Sequence, residues 1–142
     1  MKLKSLGVIG VMLAALTACE HKSTPSSPTS TPDPIAAFVG AWHSTSTGGA
    51  CSSTQWVVAQ TGATTATITY VATCAGLPIT GTANATVSGT TLNWSTNGTA
   101  ANSCAYTVNG TATPATIATD LNVTYNGNVC GTPVSGADTL HR

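Results

Sequence analysis

The sequence predicts an all-β domain of eight short antiparallel strands in up-and-down order, closed into a barrel, with an open β-sandwich as the alternative arrangement. Three observations carry this. From Phe38 onward, polar and apolar residues alternate with period two in runs that recur about every ten residues. No window in that stretch sustains apolar residues at i, i+3, i+4 and i+7. The 142 residues include 28 Thr, together with much Ala, Gly, Ser and Asn, a blend that disfavours helix and suits strands joined by tight turns.

The first strand is read from Ala37 to Ser44, with Phe38, Gly40 and Trp42 on one face and Gly48-Gly49 as the turn behind it. The second runs from Thr54 to Gln60 and the third, past Thr61-Gly62, from Thr64 to Thr73 with Ala66, Ile68, Tyr70 and Ala72 facing in. Gly76 to Pro78 leads to a fourth strand, Ile79 to Val87, whose inward set is Ile79, Gly81, Ala83, Ala85 and Val87. Ser88-Gly89 is the clearest two-residue hairpin and opens the fifth strand, Thr90 to Thr96. After an Asn97-Gly98 turn, the sixth strand covers Cys104 to Ala112 with Tyr106, Val108 and Gly110 inward. Pro114 precedes the seventh, Thr116 to Asn126, with Ile117, Thr119, Leu121, Val123 and Tyr125 inward. A turn-rich Asn126 to Pro133 leads to the last, Ser135 to Arg142. The opposite faces hold mainly Thr, Asn, Ser and Asp, as a sheet with one solvated side requires; Asp120 reads there as a solvated charge.

In a meander, the turns after the first, third, fifth and seventh strands lie at one end of the barrel. Cys51, Cys74, Cys104 and Cys130 all fall there. An even number of cysteines in an exported domain reads as two disulfides, Cys51 to Cys74 and Cys104 to Cys130; Cys51 to Cys130 with Cys74 to Cys104 is the other pairing that closure allows. No CxxC pair is present, and no metal is assigned to these thiols.

The N-terminal residues 1–18 carry two lysines and an apolar run from Leu6 to Leu16, too short to span a bilayer as a helix and therefore a signal peptide. Leu16-Thr17-Ala18-Cys19 resembles the lipobox of bacterial lipoproteins, which implies lipidation at Cys19 and a membrane anchor of several acyl chains. Glu20 in place of Asp favours the outer over the inner membrane by the same resemblance. Residues 19–34 form the lipidated N-terminus and a Pro/Ser/Thr stalk with no large apolar side chain. The barrel domain occupies 35–142.

Charge excludes several functions. Beyond Ile35 only Asp120, Asp138 and Arg142 are charged, so no basic face exists to bind nucleic acid. There is no Gly-x-Ser-x-Gly and no His-Glu-x-x-His; Asp138 and His141 fall on opposite faces of one strand, and neither an enzyme nor a cofactor is expected. His43 and His141 fall side by side on the outer face where first and last strands meet. That place suits weak metal binding, but exposed strand histidines are the plainer reading. Asn-x-Ser/Thr triplets such as those at Asn84 and Asn93 are strand and turn residues in a chain exported by this route.

Phe38-Val39-Gly40-Ala41-Trp42, together with Arg142 at the end of the last strand, resembles the lipocalin and calycin group of barrels. There a Gly-x-Trp on the first strand and an Arg on the last close one end. The resemblance implies closure by Gly40, Trp42 and Arg142 and a small apolar ligand inside; closure is expected to show as Ala41 and His141 being hydrogen-bonded neighbours on the first and last strands. The Gly-Thr-Ala repeats and the ending Val-Ser-Gly-Ala-Asp-Thr-Leu-His-Arg also resemble small bacterial lipoprotein domains. Inward Gly81, Ala83, Ala85 and Gly110 leave room for a ligand, whereas Trp56, Trp94, Tyr70 and Tyr106 are large enough to fill an eight-stranded barrel by themselves. The alternative function is a structural or adhesive surface domain that contacts envelope proteins or glycans; in either case the chain is expected to be a monomer.

Overall fold

The computed structural model describes residues 33–46 and 49–142. The signal peptide, the lipobox, Cys19 and the stalk up to residue 32 lie outside the described residues. Eight strands follow one another: β1 (Gly40–Ser44), β2 (Cys51–Gln60), β3 (Thr65–Cys74), β4 (Leu77–Ser88), β5 (Thr91–Thr99), β6 (Ala105–Pro114), β7 (Asp120–Val129) and β8 (Thr132–His141). Each pairs antiparallel with its neighbours in the chain, and β8 returns to β1, so the sheet is a closed barrel and not an open sandwich.

The hairpins at the cysteine end owe their tightness to left-handed backbone. Ala75-Gly76 between β3 and β4 and Cys130-Gly131 between β7 and β8 each place both central residues at positive φ, the signature of a type I′ turn whose twist matches that of the strands. The turn read broadly as Asn126 to Pro133 therefore shrinks to two residues, and both flanks join the ladder. At the other end the β4–β5 loop is Gly89-Thr90, one residue later than the sequence suggested, because Ser88 pairs with Thr91. Asn97-Gly98 is not a turn. Both residues continue β5, opposite Thr107 and Tyr106.

Strand β2 begins at Cys51, three residues before its alternation becomes legible, and the cause is a bulge. Cys51 and Trp56 lie five apart and would face opposite sides of a regular strand. A register shift between Ser52 and Gln55, with Ser53 at φ 51°, inserts the extra residue that turns both inward. The inward assignments otherwise hold along β3, β4, β6 and β7, with one correction: Ile117 is 63% exposed and Thr119 is exposed too. Residues 115–119 form the β6–β7 connection, held by Asp120 N–H on the Ile117 carbonyl and Ala115 N–H on the Asp120 carbonyl, so β7 starts only at Asp120.

The end away from the cysteines is sealed by the segment before β1. Ala37 does not begin a strand; residues 34–38 turn back on themselves, with Phe38 N–H donating to the Ile35 carbonyl, which drops Ile35 and Phe38 into the core. Asp33, placed by sequence in the stalk, accepts hydrogen bonds from Ile35 N–H and the Gln60 side chain and so belongs to this plug. Trp42 Nε1 donates to the Phe38 carbonyl at 2.7 Å, and the Arg142 guanidinium carbon lies 4.4 Å from the centre of the Trp42 ring. The same guanidinium donates to the carbonyls of Ala37 and Val39. Replacing it by Arg142→Ala should lower stability by about 1 kcal/mol, read as a lower urea midpoint at unchanged slope. An unchanged midpoint would mean that the plug holds without the cation.

The seam between β1 and β8 is short. His43 pairs with His141 and Ser44 with Leu140, so the register lies two residues beyond the expected Ala41 to His141 pairing, and β1 ends where most of β8 continues. Disulfides Cys51–Cys74 and Cys104–Cys130 tie the opposite end. The first staples β2 to β3 across a directly paired position; the second joins the start of β6 to the β7–β8 turn.

Candidate functional site

Four of the inward aromatic rings each lie over a glycine of a neighbouring strand, an arrangement the sequence shows only as scattered glycines. Tyr70 pairs with Gly81, Tyr106 with Gly98, Trp94 with Gly110 and Tyr125 with Gly136. A β-carbon on Gly81 would come within 2.9 Å of the Tyr70 hydroxyl, and one on Gly136 within 2.6 Å of the Tyr125 hydroxyl. The space that Gly81 and Gly110 were expected to leave for a ligand is thus largely taken by the protein's own rings.

These rings are held by hydroxyl contacts. Thr96 Oγ1 donates to the Thr82 carbonyl and Tyr106 OH to the Thr80 carbonyl. Tyr70 OH stands 2.6 Å from the Tyr106 hydroxyl and 2.8 Å from Thr96 Oγ1. With the other two protons committed to carbonyls, the single Tyr70 proton serves two oxygens. Burial, the largest cause, holds the Tyr70 hydroxyl well above the ordinary phenol range; Tyr106 adds to this and Thr96 opposes it. At the cysteine end, Cys51 N–H donates to Tyr125 OH at 2.9 Å, anchoring the start of β2 across the barrel.

What the rings do not fill is a cavity of about 40 Å³, lined by apolar side chains and by Trp56, Trp94, Tyr70 and Tyr125. Trp56 meets Trp94 edge-on with centroids 5.3 Å apart. Two polar groups on this cavity matter. Trp94 Nε1 is buried with no hydrogen-bond partner, the sole such side-chain atom among the described residues, and an unpaired buried donor costs about 1 to 3 kcal/mol. Asp138 also lines the cavity, its carboxylate taking the Thr139 N–H at 2.8 Å. Its inward parity was legible, since Val134, Gly136, Asp138 and Leu140 alternate with outward residues. Only the orphaned indole N–H had no signal in the sequence.

The Cys51–Cys74 disulfide borders the cavity, and the other sequence candidates stay apart from it. Gly40, Trp42 and Arg142 gather at the plugged end. His43 and His141 face outward and lie side by side, with ring centroids 6.3 Å apart. Asp120, read as a solvated charge, instead contacts His141 Nδ1 through Oδ1 at 3.0 Å. Among the described residues no three or more His, Cys, Asp or Glu side chains converge as a metal cluster.

No protein-family profile and no curated protein matches this chain. Among solved structures it is similar to one titled "Structure of EF1p2_mFAP2b bound to DFHBI", with a TM-score of 0.59 and 20% identity over 78% of this chain and 97% of the other. At that identity the likeness concerns the fold: a small eight-stranded antiparallel barrel of lipocalin-like form.

Proposed function

We propose that this protein is a lipid-anchored lipoprotein of the bacterial envelope, most simply of the outer membrane, whose barrel binds a small apolar, aromatic-sized molecule and performs no catalysis. The observation that carries the reading is the Trp94 indole N–H, buried and unpartnered on an apolar cavity beside Asp138. A ligand with one hydrogen-bond acceptor would satisfy that donor while its apolar body covered Trp56 and Ile79. The solved barrel of similar fold is described as bound to DFHBI, which supports small-molecule binding as a use of this architecture. Anchorage rests on the lipobox-like Leu16-Thr17-Ala18-Cys19 and would leave the barrel held at the membrane surface without spanning it.

The size of the cavity limits the ligand. About 40 Å³ is far below the roughly 300 to 1,000 Å³ of drug-sized pockets. Entry therefore requires a ring, Trp94 or Tyr125, to swing aside. The same smallness favours a second reading, a filled structural or adhesive domain that contacts envelope proteins or glycans through its Thr-rich outer face. Titrating the purified protein with an apolar aromatic dye separates the two. Saturable uptake with a change in tryptophan emission, weakened about tenfold or more by Trp94→Phe, is expected for the binding protein. No uptake across a panel of dyes and fatty acids leaves the structural reading and overturns the first.

A further inference from the structure

Across the seam four outward residues stand in one row, each on a different strand: Gln55 on β2 opposite His43 on β1, His43 opposite His141 on β8, and His141 opposite Asp120 on β7. We propose that His43 and His141 form a binding site for a divalent transition metal such as zinc or copper(II) on the outer wall of the barrel, with Asp120 as the positioning residue behind it.

Three features of the row support this. The two imidazoles are direct cross-strand neighbours on the same face, the arrangement in which side chains from adjacent strands approach most closely. Their ring centroids are 6.3 Å apart. Two imidazoles bound to one metal at about 2.0 to 2.1 Å per bond have centroids roughly 5 to 6.4 Å apart, so a small side-chain rotation suffices. Asp120 Oδ1 lies 3.0 Å from His141 Nδ1, a contact that commits Nδ1 to carrying the proton and leaves the Nε2 lone pair for the metal. That contact is also partly shielded, the His141 side chain being 36% and Asp120 15% exposed.

Arg142, the next residue, does not oppose a cation in this row, because its guanidinium is turned onto the Trp42 ring and the carbonyls of Ala37 and Val39. Two imidazoles leave further coordination positions for water or an exogenous donor, and imidazole is a ligand these borderline metals accept readily. The site is independent of the internal cavity: it lies on the opposite surface of the wall and shares no side chain with the ligand proposal.

The chain has three His, and the only cysteine outside the two disulfides is Cys19. A full-length background carrying Cys19→Ser and His21→Ala, with its α-amino group acetylated, therefore leaves His43 and His141 as the sole imidazole donors and no free thiol. Calorimetric titration of this background with zinc is expected to show one saturable site. His43→Ala or His141→Ala should each weaken it at least tenfold, and Asp120→Asn by about tenfold to a hundredfold. Copper(II) electron paramagnetic resonance should report two nitrogen donors, falling to one in His43→Ala. An unchanged melting temperature in chelator shows that each variant is folded. Equal zinc affinity in the double variant His43→Ala/His141→Ala, or no saturable binding in the background, overturns the site. Unaltered affinity in Asp120→Asn overturns the positioning role.

Discussion

Reducing both disulfides, or replacing all four cysteines by Ala, is expected to leave the barrel largely unfolded at 37 °C. The bridges Cys51–Cys74 and Cys104–Cys130 close segments with sequence separations of 23 and 26. By the chain-entropy relation each contributes about 3.5 kcal/mol by restricting the unfolded chain, and the two restrain separate segments, so their effects should add to about 7 kcal/mol. That is comparable to the whole stability of an ordinary domain, roughly 5 to 15 kcal/mol. The interior offers little reserve, because many inward positions are Ala or Gly and bury little apolar area of their own. Thermal melts with and without reductant test this. A reduced protein melting within a few degrees of the oxidised one would show that the rings and the plug suffice without the bridges.

Gly110→Ala is expected to cost about 3 kcal/mol or more, a fall in melting temperature of roughly 12 to 24 °C for a domain of this size. The reason is the identity of what stands in the way. A β-carbon at Gly110 would run into the Thr124 carbonyl of β7 and, at 2.8 Å, into the Trp94 ring. A ring can turn aside, but a main-chain carbonyl inside a paired ladder cannot move without unpairing β6 from β7. Thr107→Ala, on the same strand but facing out, should change stability by less than about 0.5 kcal/mol. Similar melting temperatures for the two variants would mean that β6 and β7 are freer to separate than their register implies.

The barrel, its strand order and its disulfide pairing are legible in the sequence because they depend on parity, and parity survives errors of one or two residues at strand ends. The errors fall where backbone geometry breaks parity. The Ser53 bulge concealed the start of β2. Ile117 looked inward because it continues the alternation of Leu121 and Val123, yet the chain was already turning there. Asn97-Gly98 has the composition of a turn, but Gly98 is glycine because Tyr106 lies over it. In each case the missing information is a contact between strands, absent from any local window. The same holds for the orphaned Trp94 N–H and the Asp120–His141 contact, which depend on where two side chains end up after closure.

The shortness of the β1–β8 seam bears on how the barrel assembles. Seven of its eight strand pairings join neighbours in the chain and can form as local hairpins, with little sequence to gather. The eighth brings together residues about as far apart as the domain permits, as in the contact from Arg142 to the Val39 carbonyl, 103 residues away. Most of the loop-closure entropy of folding therefore falls on one late event, secured by two paired positions and an arginine. Until it occurs, the meander has two free edges that fit one another and fit equally well the edges of a second copy. The seam is thus the place where intramolecular closure competes with domain swapping and aggregation.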